Sequence, residues 1–132
     1  MKVKEFRIGN WVKCKTNDGE KFGEICDILD SGYFSARCNG VEYGGTFNNA
    51  EGVVDCIEPI CITDELLLNN GFEQCGYLFQ TIFIEMYEVA NGWHLHIDNE
   101  GFETALSITI KYVHQLQNAY YIATGKELEI KL

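Results

Sequence analysis

Ile110-Lys-Tyr-Val-His-Gln-Leu-Gln-Asn-Ala-Tyr-Tyr-Ile-Ala-Thr-Gly-Lys-Glu-Leu-Glu-Ile130 is the stretch whose reading decides the fold. Tyr112, Val113, Leu116, Ala119, Tyr120 and Ala123 recur at helical spacing and make one apolar face. Ser107 or Thr109 is the expected N-cap, and Gly125 is the expected stop. Beyond it Leu128, Ile130 and Leu132 alternate with Glu127, Glu129 and Lys131, which predicts a terminal strand. The segment is dense in folding signals and carries almost no chemistry.

Moving toward the N-terminus, three runs read as an antiparallel meander: Tyr77 to Phe79, Thr81 to Val89 and Trp93 to Asp98. Asn91-Gly92 joins the last two as a tight hairpin, because both residue types tolerate positive φ. With those two residues as the loop, Val89 faces His94, Tyr87 faces His96 and Glu85 faces Asp98. Asn99-Glu100-Gly101 then turns the chain into a strand over Phe102 to Leu106. Ahead of the meander, Thr63 is the expected N-cap of a short helix with Asp64 and Glu65 in its first turn. Ile62 can staple onto Leu67, and Gly71 at C′ lets Phe72 fold back toward Leu67. Helices covering one side of an antiparallel sheet make the economical arrangement.

Residues 1–57 read differently, as short strands divided by turns. The expected strands are Arg7 to Lys15, Phe22 to Leu29, Tyr33 to Arg37, Val41 to Tyr43 and Val53 to Ile57. Asn17-Asp18-Gly19, Asp30-Ser31-Gly32 and Asn39-Gly40 are the turns, and Gly44 to Asn49 is a loop. Five short strands opening with Gly9-Asn10-Trp11-Val12 resemble a small SH3-like barrel, many of which begin with a Gly-Asp-x-Val strand. Glu58-Pro59 marks the boundary. The expected fold class is therefore α+β: a small β-barrel over residues 1–57, then an antiparallel sheet packed with two helices over 58–132.

A chain of 132 residues with 46% hydrophobic side chains and one proline is suited to one domain or two small ones. Its apolar runs are too short to span a bilayer, and no apolar segment of a signal peptide follows the N-terminal charges, so the expectation is a cytoplasmic protein. In that compartment Cys14, Cys26, Cys38, Cys56, Cys61 and Cys75 are reduced, and without a Cys-x-x-Cys pair they read as small buried hydrophobes. The net charge of −10 is uneven: residues 1–57 carry −2 and residues 58–132 carry −8. The first 21 residues are instead basic, at +3.

Three passages carry a resemblance: Arg7-Ile-Gly-Asn-Trp-Val12, Pro59-Ile-Cys-Ile-Thr-Asp-Glu-Leu-Leu-Leu-Asn-Asn-Gly-Phe72, and Tyr112-Val-His-Gln-Leu-Gln-Asn-Ala-Tyr-Tyr-Ile-Ala-Thr-Gly-Lys-Glu-Leu128. In them the chain resembles a family of small proteins from gut bacteria and their phages or mobile elements. The family has no established activity, so the resemblance implies an architecture and an origin and transfers no catalytic residue.

Candidate chemistry is sparse. No phosphate-binding glycine loop and no triad stands out, and no cofactor is expected. His94, His96 and Asp98 alternate in one strand and so share a face that suits a divalent metal, as in a hydrolase; the same alternation also suits a plain solvated face. His114, with Gln115 and Gln117, is expected to make structural hydrogen bonds. Trp11, Tyr33, Phe34, Tyr43 and Phe47 either fill the barrel or line a groove. The leading expectation is a non-enzymatic interaction module with a protein partner, using Trp11, Tyr33, Tyr43, Gln117 and Tyr120. The alternatives are nucleic-acid binding through Lys13, Lys15 and Arg37 beside the aromatics, and a metal-dependent hydrolase on His94, His96 and Asp98.

Overall fold

The computed structural model describes residues 6–16, 19–28, 33–38, 40–48, 53–54, 57–98 and 105–132. The chain divides into two compact units, Met1–Ile60 and Cys61–Leu132. Both are built on antiparallel sheets, and the two helices belong to the second, so the protein is α+β.

The first unit contains β1 (Trp11–Thr16), β2 (Gly19–Ile28), β3 (Tyr33–Cys38), β4 (Val41–Asn48), β5 (Val53–Val54) and β6 (Ile57–Glu58). Their order across the sheet is β5-β4-β3-β2-β1-β6. Among the described residues β5 and β6 are not paired to each other, so the pairings leave an open sheet where a closed barrel was expected. Two boundaries also move. The expected loop after Gly44 is strand through Asn48, and the expected strand Val53 to Ile57 is two short pieces that lie at opposite edges. The Gly40 hairpin has the expected length, since Cys38 pairs with Val41. The other expected turns, at Asn17-Asp18, Asp30-Ser31-Gly32 and Asn99-Glu100-Gly101, lie outside the described residues, as does Asn39.

Alternation explains the core of this unit. Val12, Cys14, Ile25, Ala36, Cys38 and Ile57 form one buried cluster, with Phe6 and Ile28 packed against it. Ile25 and Ile28 are three apart, which a regular strand would place on opposite faces. A register shift between Ile25 and Asp27 absorbs the extra residue, Cys26, and keeps both isoleucines on the core side.

The second unit runs α1 (Asp64–Asn69), β7 (Glu73–Cys75), β8 (Leu78–Gln80), β9 (Ile84–Val89), β10 (Gly92–Asp98), β11 (Ala105–Ile110) and α2 (Val113–Thr124). The five strands form a meander in the order β11-β10-β9-β8-β7. Trp93, Leu95 and Ile97 point to the buried side, as their alternation predicts, and pack with Phe79, Ile84 and Met86 from neighbouring strands. Trp93 meets Phe79 edge-on at 5.4 Å and donates its indole N–H to the Ile62 carbonyl at 3.2 Å. The Ile62 N–H in turn reaches the Lys111 carbonyl, so the entry to α1 is tied beside the entry to α2.

Helix α1 has the predicted ends. Leu66 N–H donates to the Thr63 hydroxyl, and Phe72 N–H reaches back to the Leu67 carbonyl past Gly71. Helix α2 begins later than expected. Ser107 and Thr109 lie in β11, and the cap is built by Gln115, whose side-chain oxygen accepts from the N–H groups of Lys111 (2.8 Å) and Tyr112 (3.0 Å). Gly125 ends the helix with φ of 72°.

Two further expectations are corrected. Residues 128–132 do not form a strand: Ile130 is buried, but the backbone of Lys131 bonds to the Asn70 side chain and not to a sheet. The β9–β10 hairpin is shifted by two residues, with Val89 opposite Gly92, Tyr87 opposite His94 and Glu85 opposite His96. Gly92 is thus the first paired residue and not part of the loop. Its φ is +146°, and a Cβ there would lie 2.3 Å from the Ile110 carbonyl oxygen. Only glycine fits that approach of β11.

Candidate functional site

The outer face of the first sheet holds an open concavity. Its position follows from the turn at Arg7-Ile-Gly-Asn10. Asn10 is fully buried, and its side-chain oxygen accepts the Arg7 N–H at 2.7 Å. The Gly9 N–H donates to the Ile25 carbonyl and the Ile25 N–H to the Asn10 carbonyl, both at 2.9 Å. This turn lifts Ile8 to the rim of the sheet. Trp11 follows on β1, while Val12 and Cys14 point to the core.

The result is an open groove of about 540 Å³ bordered by Ile8, Trp11, Phe22, Glu24, Cys26 and Arg37. Ile8 is 58% exposed and Phe22 48%, which is unusual for large apolar side chains grouped around one hollow. Cross-strand pairing sets the rest: Trp11 lies opposite Glu24, Glu24 opposite Arg37, and Arg37 opposite Glu42. The Arg37 guanidinium bonds Glu42 at 2.9 Å, and this hydrogen bond holds its pKa above the ordinary arginine value. At the rim, Cys26 contacts the Ser35 hydroxyl at 3.3 Å.

Of the residues singled out for a protein partner, Trp11 lines this groove. Tyr33 and Tyr43 hold strand positions opposite Thr46 and Ala36. Gln117 is only 2% exposed and offers no open helix flank, while Tyr120 is half-buried. The reason is the width of the buried arc on α2, which takes in Val113, His114, Leu116, Gln117 and Ala119. His114 stacks on Tyr112 at 5.8 Å, and burial lowers its pKa to about 4.

The three cations read for nucleic acid share the grooved face of the sheet, and each is matched to a carboxylate. Lys13 lies 3.4 Å from Glu20, Lys15 contacts Glu58, and Arg37 holds Glu42. The Glu58 hydrogen bond raises the Lys15 pKa.

His94, His96 and Asp98 do share the outer face of the second sheet. His94, however, is engaged elsewhere: its Nε2 lies 2.9 Å from the Ser107 hydroxyl, and its ring packs on Tyr87 at 4.9 Å. Tyr77 meets Tyr87 edge-on at 5.9 Å and extends this row. Among the described residues no group of three or more His, Cys, Asp or Glu side chains is placed to hold a metal ion. Also among the described residues, no helix is long and apolar enough to cross a membrane.

Sequence reasoning missed Ile8, Phe22, Glu24 and Cys26 as groove residues. One signal was present: Phe22 alternates in phase with Glu24, so a buried Phe22 would have carried a glutamate inward with it. Comparison of the chain with known protein families, with curated proteins and with solved structures gives no match.

Proposed function

We propose that this protein is a non-enzymatic interaction module that binds another protein through the groove on its first sheet. The observation that carries this reading is the exposure of Ile8 and Phe22 beside Trp11 in one open hollow. An apolar side chain of the partner fills the space between them, which removes water from all three, and the Arg37–Glu42 pair and Glu24 supply polar contacts at the rim. We read the unit as a strongly curved, SH3-like small barrel, because β1 and β3 touch through their side chains although β2 lies between them. A cytoplasmic setting and a bacterial or phage origin belong to the same reading and rest on the sequence alone.

The alternative modes draw less support. Nucleic-acid binding through Lys13, Lys15 and Arg37 would first have to break three ion pairs with carboxylates on the same face. A hydrolase on His94, His96 and Asp98 would require His94 to leave Ser107 and Tyr87.

The test is capture of a partner from bacterial lysate, with and without nuclease, using the wild-type chain and Phe22→Ser. A discrete protein held by the wild type and lost from the variant supports the groove. Capture that disappears with nuclease treatment alone transfers the function to the nucleic-acid mode.

A further inference from the structure

The geometry points to Cys14 and Cys38 as a redox-active pair that closes to a disulfide across β2. Cys14 lies on β1 and Cys38 on β3, strands that each pair with β2 and not with each other. Their sulfurs nevertheless lie 3.2 Å apart, in the core, with both residues at 2% exposure or less. That is about 1.2 Å longer than a sulfur–sulfur bond, and because β2 lies between the two backbones, closing it draws β1 and β3 toward each other.

Gly23 makes the contact attainable. A Cβ at this position of β2 would lie 2.3 Å from the Cys38 sulfur and 2.8 Å from the Arg37 carbonyl oxygen. Any side chain at 23 would occupy the path by which the Cys38 thiol reaches over β2. The Cys38 sulfur itself fills that volume, so the strand between the two cysteines can carry no side chain at 23.

With a hydroperoxide as oxidant, one sulfur attacks the peroxide oxygen as its thiolate. It becomes a sulfenic acid, and the peroxide leaves as an alcohol or water. The second sulfur then displaces the sulfenic oxygen, which departs as water, and the S–S bond forms. The two thiols lose two electrons and two protons in total, and a dithiol reductant returns them. Access requires local opening. The strand beside Cys14 is β6, only two residues long, where Ile57 is its partner. The closed disulfide ties β1 to β3 around a sequence separation of 24 and stiffens the first unit.

The experiment treats the folded full-length chain with hydrogen peroxide, alkylates remaining thiols and maps peptides without reduction. The expected result is a peptide pair joining Cys14 to Cys38, lighter by two hydrogens. A urea midpoint that rises on oxidation and returns with dithiothreitol accompanies it. Recovery of both cysteines as alkylated thiols while the exposed Cys61 and Cys75 are oxidised would overturn the proposal. So would linkage of either one to a different cysteine. Cys38→Ala, which keeps a small apolar residue in the core, removes the cross-link and the oxidation-dependent rise in midpoint together.

Discussion

The side-chain amide of Asn70 holds both backbone groups of Lys131, accepting its N–H at 2.6 Å and donating to its carbonyl at 3.0 Å. A third bond runs from the same amide to the Leu66 carbonyl at 2.8 Å, so one side chain joins the end of α1 to the C-terminal segment. The amide copies what a neighbouring strand would offer, which is why an alternating segment rests here without a sheet. Asn70→Ala should cost about 1–3 kcal/mol through the polar groups left unmatched. Urea denaturation checks the loss, and hydrogen exchange should show faster exchange confined to residues 128–132 and the end of α1.

Burial of His114 makes stability depend on pH. Its pKa is 6.5 unperturbed and about 4 in the fold, so between these values the unfolded chain binds a proton that the folded chain does not. Stability from this group is therefore complete above about pH 6.5 and declines as pH falls toward 4. The total is on the order of 3 kcal/mol. Denaturation of wild type and His114→Leu across this range tests it. The variant should show a shallower decline with acid, whatever its stability at neutral pH.

Gly92 should tolerate no side chain. Gly92→Ala sets a Cβ against the Ile110 carbonyl at a φ of +146°, and the strain and clash together should cost about 2–4 kcal/mol. The denaturation midpoint should fall without a change in the fold of the first unit, read from hydrogen exchange of β1 to β4. A variant as stable as wild type would mean that β10 and β11 approach less closely than described.

The buried Asn10 predicts a linked effect on fold and function. Asn10→Ala removes the acceptor of the Arg7 N–H and loosens the turn that carries Ile8, at about 1–2 kcal/mol. Partner binding should weaken along with stability. Asn10→Asp, which keeps an acceptor oxygen, should restore much of both.

Legibility followed periodicity and local chemistry. The alternation of Trp93, Leu95 and Ile97, the Thr63 cap and the Gly71 and Gly125 stops could all be read because each depends on neighbours in sequence. The α2 cap could not. It uses Gln115 reaching back to Lys111 and Tyr112, so the Ser and Thr that looked like caps were free to extend β11. The terminal strand misled because alternation states which side chains are buried and is silent on what the backbone bonds to. The groove was half visible: Trp11 belonged to an expected aromatic set, but its companions depend on cross-strand register and on the extra residue at Cys26. The cations were visible as charges, while their carboxylate partners come from other strands.

Phe22 is the residue on which the functional account turns. Replaced by a photoreactive phenylalanine analogue, it should form a cross-link to a discrete protein in bacterial lysate, whereas the same analogue at Ile82, which is 89% exposed in the second unit, should not. Cross-linking from position 82 and none from position 22 would contradict the groove as the binding surface.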